Sequence, residues 1–144
     1  MSQVRRLAMV ILMVTDVEKA VSFYEKLGAQ KRCLFPKSWA ELVLEGITVA
    51  LCHTEHEQGQ RRTGLVFAVD DLIAFYSAHK TDMIFLEEPV TKLHGIMVSV
   101  QDPSGNILEL YQATPEKVQS FMNTQKESGC CREDMNESDC CKSR

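Results

Sequence analysis

Three groups of residues have the types and spacing for chemistry. Glu109 sits in Asp102-Pro103-Ser104-Gly105-Asn106-Ile107-Leu108-Glu109-Leu110, a turn followed by an alternating run. A carboxylate there can accept hydrogen bonds or hold a cation. Buried without a cation, it would keep its proton to higher pH and could act as acid or base. His53-Thr54-Glu55-His56-Glu57 looks like a metal cluster but falls in a polar stretch, where histidines three apart are ordinarily solvated. His94, just before Gly95, could touch a ligand or shuttle a proton, or be a plain loop histidine. The third group is cysteine. Of the 6 cysteines, the pairs Cys130-Cys131 and Cys140-Cys141 are vicinal and lie near the end of the chain. Vicinal thiols suit soft, thiophilic ions such as trivalent arsenic or monovalent copper. They also suit reversible S-acylation. The plainest reading is a disordered tail of unspecialised, redox-active thiols. Cys141-Lys142-Ser143-Arg144 lacks the aliphatic residues of a prenylation box.

Those side chains need a scaffold, and 144 residues suffice for one domain plus a tail. Hydrophobic residues at 44% and charged residues at 25% are ordinary for a globular domain with its own core. A net charge of -4 with no basic stripe argues against nucleic-acid binding. No apolar run is long enough for a membrane span. The opening residues lack a small-residue cleavage site after an apolar stretch, so they read as mature sequence. Cys33 and Cys52 lie in apolar, strand-like runs. This is not a disulfide framework, and it predicts a reduced, cytoplasmic domain.

The hydrophobic pattern supplies the elements. Residues 7–14 form a continuous apolar run of strand length. Thr15-Asp16 offers a helix cap, and Val17, Ala20, Val21, Tyr24 and Leu27 follow at helical spacing up to Gly28. Strands are predicted over residues 30–35, 39–44 and 47–53, and residues 54–62 read as a linker. The order then repeats: a strand over 65–69, a helix capped by Asp70-Asp71, and strands over 83–86, 96–100 and 107–112. Thr114-Pro115 starts a short helix with Val118, Phe121 and Met122 on one face.

The repeat shows in the residues themselves. Val14-Thr15-Asp16-Val17 matches Val69-Asp70-Asp71-Leu72, and Glu45-Gly46-Ile47 through Leu51 matches Ser104-Gly105-Asn106 through Leu110. Each unit is βαβββ, with helix on only one face of its sheet. In the first strand, Ala8, Val10, Leu12 and Val14 can face the helix, leaving Met9, Ile11 and Met13 for the other side.

These motifs resemble the vicinal oxygen chelate superfamily, which includes glyoxalase I, bleomycin-binding proteins, fosfomycin-resistance enzymes and extradiol dioxygenases. The resemblance rests on Val14-Thr15-Asp16 with Phe23-Tyr24 and Leu27-Gly28, on Val69-Asp70-Asp71, and on the motif ending at Glu109. It covers about residues 4–113, as modules 4–53 and 63–112, and leaves the helix 114–127 and the Cys-rich tail 128–144 outside. It implies an α+β fold whose curved mixed sheets enclose a cavity, often at the interface of a homodimer.

The resemblance also implies where a metal would bind. Metal-dependent members draw ligands from the first and last strand of each module. Here those positions are Met9 and Ala50 in the first module, and Gly64 and Glu109 in the second. Three offer no suitable donor, so no metal and no cofactor are expected. The expectation is a metal-independent protein holding an apolar or aromatic small molecule. Glu109, with His94 or Tyr111, would orient it, and Trp39, Met9, Met13, Cys52 and Phe85 would be further cavity or interface residues. One alternative is a metal-dependent lyase or dioxygenase with a rearranged site using Glu109 and His53. Another is a non-catalytic scaffold acting through its tail, where some organoarsenical-cleaving members also carry vicinal cysteines.

Overall fold

The chain enters as an exposed extended arm and pairs only from Val10. The computed structural model describes residues 2–127; the pairs Cys130-Cys131 and Cys140-Cys141 lie outside them. Strand β1 (Val10–Val14) leads to helix α1 (Val17–Lys26). The Asp16 carboxylate caps α1 by accepting from the Lys19 amide at 3.1 Å. Gly28, at φ 102°, turns the chain out again. Strands β2 (Gln30–Phe35), β3 (Trp39–Leu44) and β4 (Ile47–His53) complete the first unit. The second has β5 (Arg61–Ala68), α2 (Leu72–His79), β6 (Ile84–Phe85), β7 (Val90–Thr91), β8 (Gly95–Gln101) and β9 (Asn106–Ala113). Asp71 caps α2 through the Ala74 amide at 3.0 Å. Helix α3 (Pro115–Glu127) begins on proline, whose missing N–H costs nothing in a first turn.

Each unit builds one sheet. The first has strand order β1-β4-β3-β2 and the second β5-β9-β8-β6, with β7 also on β8. The first strand of each unit runs parallel to the last, with Ile11 opposite Ala50 and Val66 opposite Glu109. A parallel pair needs a long crossover, which each helix helps to make.

Alternation decides what is buried. Leu12, Val14, Ala40, Leu42, Val49 and Leu51 pack with Val17, Ala20, Val21 and Tyr24. Leu72, Met83, Val98, Val100, Leu108 and Leu110 continue the same cluster. The opposite parity leaves an inner face on each sheet. Met13, Cys52 and Trp39 form one row of the first; Val66, Glu109 and Ser99 form one row of the second.

The units meet at a polar knot. Asp102 is fully buried and accepts from the Tyr24 hydroxyl, the Asn106 side-chain amide and the Ser104 amide, each at 2.8 Å. The Met13 carbonyl accepts from Arg61 at 2.9 Å and from Asn106 Nδ2 at 3.0 Å. Thr15 N–H donates to Ser104 Oγ at 3.0 Å.

Four expectations need correction. Residues 7–9 of the predicted strand lie outside β1, and Ile11 is 51% exposed, so the apolar run is only partly strand and its second face is open. Strand β5 begins at Arg61, inside the segment read as linker, because the Arg61 amide donates to Gly105 O at 2.8 Å and Thr63 Oγ1 to Ile107 O at 2.8 Å. A polar stretch gave no hydropathic sign of this. The short strand β7 was not anticipated. Phe85 pairs with Val100 and lays its ring 4.9 Å from Tyr76 of α2, so it faces the helix side.

Candidate functional site

Glu109 stands in the middle of the second inner face, and it already has a cation. Arg62 Nη1 donates to its Oε1 at 3.0 Å, and Ser99 Oγ donates to both oxygens, at 2.9 and 3.1 Å. Arg62 reaches it from β5, where the register slips between Arg62 and Val66. Gly64 lies in that bulge with φ 76°, a conformation a side chain would strain. Beneath Ser99, its amide donates to Glu87 Oε1 at 2.6 Å. Glu109 is therefore neither fully buried nor without a cation.

His94 and Tyr111 come together at the end of the same sheet. The Tyr111 hydroxyl donates to the His94 carbonyl at 2.7 Å, and their rings lie 5.6 Å apart. The backbone of Gly95 lies against the Tyr111 ring, and a Cβ there would strike it. Met97 is opposite Tyr111 and Ala68 is beside it, so this end of the face is apolar.

On the first sheet, Met13, Cys52 and Trp39 share one row, as their parity predicts. The next row carries Ile11, Ala50 and Glu41, with Cys33 opposite Glu41. Arg32 donates to Glu41 Oε2 through Nη2 at 2.8 Å and Nε at 3.1 Å. That guanidinium, chiefly through its hydrogen bond, holds the Glu41 carboxyl below the ordinary range, with smaller help from Trp39 and Cys33. Each inner face thus carries one carboxylate paired to one arginine.

Of these residues, Arg62, Ser99, Arg32 and Glu41 were missed from sequence. Ser99 could have been found by pairing Glu109 across the hairpin. Arg62 could not, because the bulge hides its register. Met9 is half-buried just before β1, and Ala50 and Gly64 supply no donor atom. His53 ends β4, exposed, in a recess with Asp16, Glu18 and Lys37. Among the described residues, no group of three His, Cys, Asp or Glu comes together to hold a metal. A separate groove of about 980 Å³ lies between the Glu45-Gly46 turn and β5, and none of the sequence-predicted site residues lines it.

The sequence profile of the Glyoxalase/Bleomycin resistance protein/Dioxygenase superfamily matches residues 6–110. The chain belongs to that superfamily. Its fold is shared with solved members at low identity. A manganese(II)-bound mutant of the fosfomycin resistance protein FosX from Listeria monocytogenes superposes with a TM-score of 0.69 at 13% identity, covering 83% of this chain and 99% of that one. The antibiotic binding protein TnmS3 from Streptomyces sp. CB03234 gives 0.62 at 23% identity, covering 79% and 100%. No curated protein sequence matches the chain. At such identities the structures speak for the fold alone. Among its described residues, the chain has no helix long and apolar enough to cross a membrane.

Proposed function

We propose that this chain is a metal-independent binding protein for an apolar or aromatic small molecule, held against the inner sheet faces. The observation that carries the reading is the Arg62–Glu109 pair. A guanidinium neutralises the one carboxylate at the superfamily's ligand positions. The other three positions are Met9, Ala50 and Gly64, so the donor set does not fit a divalent ion. Around the pair stand Val66, Met97 and Tyr111, a surface suited to adaptable apolar contact.

Ile11 and Val66 are 51% and 54% exposed on the inner faces. Such surface favours closure by a second copy, and a homodimer is part of the proposal. The free thiols of Cys33 and Cys52 are consistent with a reducing cytoplasmic setting.

A thermal-shift and calorimetric screen with flat aromatic compounds tests the reading. Expected hits raise the melting temperature, and Tyr111→Ala or Glu109→Gln weakens them. A broad library with no stabilising compound counts against binding. Stabilisation by manganese(II) or zinc that is lost in Glu109→Gln overturns metal independence.

A further inference from the structure

The internal repeat relates two junctions between the units, and only one of them is closed. At the closed junction, the turn between β8 and β9 docks on the end of β1 and on α1. Asp102 and Asn106 flank that turn, Tyr24 reaches it from α1, and Arg61 stands opposite Asn106. At the related junction the turn is Glu45-Gly46, between β3 and β4. It faces the end of β5 and the start of α2 across the 980 Å³ groove.

The polar pair flanking the closed junction's turn is replaced at the open one. Leu44 and Ile47 pair across the turn where Asp102 and Asn106 do. His79 holds the sequence place of Tyr24, and its ring is turned to Asp82 instead. The walls of the open junction are largely apolar: Leu44, Ile47, Leu65, Phe67 and Phe75.

The mouth carries charge of one sign. Asp70 holds the place of Thr15, and Glu45 that of Ser104. At the closed junction those places are joined by a 3.0 Å hydrogen bond. Two carboxylates stand at these places instead, and neither is in an ion pair among the described residues. Among the described residues, no Lys, Arg or His lines the groove.

We propose that this groove binds a hydrophobic cation, with its apolar, ring-bearing body between Leu44, Ile47 and Phe67 and its positive centre between Glu45 and Asp70. The ligand supplies the ring and the positive charge that Tyr24 and Arg61 supply at the closed junction. The volume suits a drug-sized molecule. Carboxylates beside a low-dielectric wall attract a cation more strongly than they would in open water. Val66 and Ala68 of β5 border both this groove and the second inner face, but Glu45 and Asp70 line only the groove, so the charge test is read apart from the function proposed above.

The test uses the full chain and two probes of nearly equal shape and opposite charge, tetraphenylphosphonium and tetraphenylborate. Calorimetry at low salt should give one cation site per chain, with the phosphonium bound about tenfold or more tighter than the borate. Glu45→Gln with Asp70→Asn should abolish that preference without moving the thermal midpoint, since both side chains are exposed. Hydrogen exchange should show phosphonium-dependent protection at residues 44–47 and 65–70. Equal affinity for the two probes overturns the proposal. So does a cation preference that survives the double variant, or protection confined to the inner faces. Protection at 44–47 and 65–70 that rises with protein concentration and without probe also overturns it, because a second copy is then the occupant.

Discussion

The Tyr24 hydroxyl donates at 2.8 Å to Oδ2 of Asp102, across a sequence separation of 78 residues. The bond ties the helix of the first unit to the last turn of the second. Both partners are fully buried, so neither can turn to water if the other is lost. Asp102 also receives the Asn106 side chain and the amides of Ser104 and Asn106. This carboxylate therefore fastens the first unit to the second.

Removing the hydroxyl should be costly. Tyr24→Phe keeps the ring and its edge contact with Phe23. It leaves one oxygen of a buried carboxylate short of a donor, a penalty of about 1–3 kcal/mol. Asp102→Ala should cost more, because it orphans several donors together. Urea unfolding measures both. A Tyr24→Phe protein as stable as the parent sinks the claim that this bond joins the units.

The same bond predicts a behaviour at high pH. Burial first, then the neighbouring Asp102, raises the Tyr24 pKa well above the ordinary value of 10.0. A raised folded pKa means that the native state holds its proton more tightly than the unfolded chain. Tyr24's contribution is then whole below pH 10 and shrinks as pH rises beyond it. Phenolate absorbance should show Tyr24 ionising only together with unfolding. A Tyr24→Phe difference spectrum with a phenolate signal in the folded protein would contradict this.

How much of this was legible beforehand depends on the range of the forces involved. Asp16 and Asp71 were readable as helix caps because capping is local, and both accept the bonds expected of them. The parity of Met13, Cys52, Glu109 and Tyr111 followed from strand alternation alone. Arg62 beside Glu109 depended on a bulge, and a bulge is a two-strand property that one strand's sequence does not announce. Strand β5 began early because polar Arg61 and Thr63 found partners on β9, against their own hydropathy. The open inner faces were unreadable for a different reason: the pattern of a strand says which side is apolar, not what covers it.

The arginine on the first inner face gives a prediction on the acid side. Arg32 holds the Glu41 carboxyl below its ordinary value of 4.5. A lowered folded pKa adds stability that is present above the ordinary carboxylate pKa and lost as pH falls through the folded one. The pair is exposed, so the effect on stability is small. Arg32→Met should raise the Glu41 titration midpoint toward the ordinary value, as read by carboxyl-carbon NMR. An unchanged midpoint would mean that the guanidinium does not reach the carboxylate in solution.

Gly95 offers a sharper test of the Tyr111 end of the site. A Cβ at residue 95 would run into both the Tyr111 ring and the Gln112 carbonyl. The ring can swing away, but the carbonyl belongs to β9 and is fixed by its pairing with β8. Gly95→Ala should therefore destabilise the protein by about 1–3 kcal/mol, the usual cost of overpacking. It should also break the bond from the Tyr111 hydroxyl to the His94 carbonyl, which NMR would register as shifts at both residues. Adding Tyr111→Ala to Gly95→Ala should return only part of the loss, because the backbone clash stays. Full recovery in the double variant would show that the ring alone demands glycine. A Gly95→Ala protein with normal stability and unshifted Tyr111 signals would mean that the ring does not lie over this backbone.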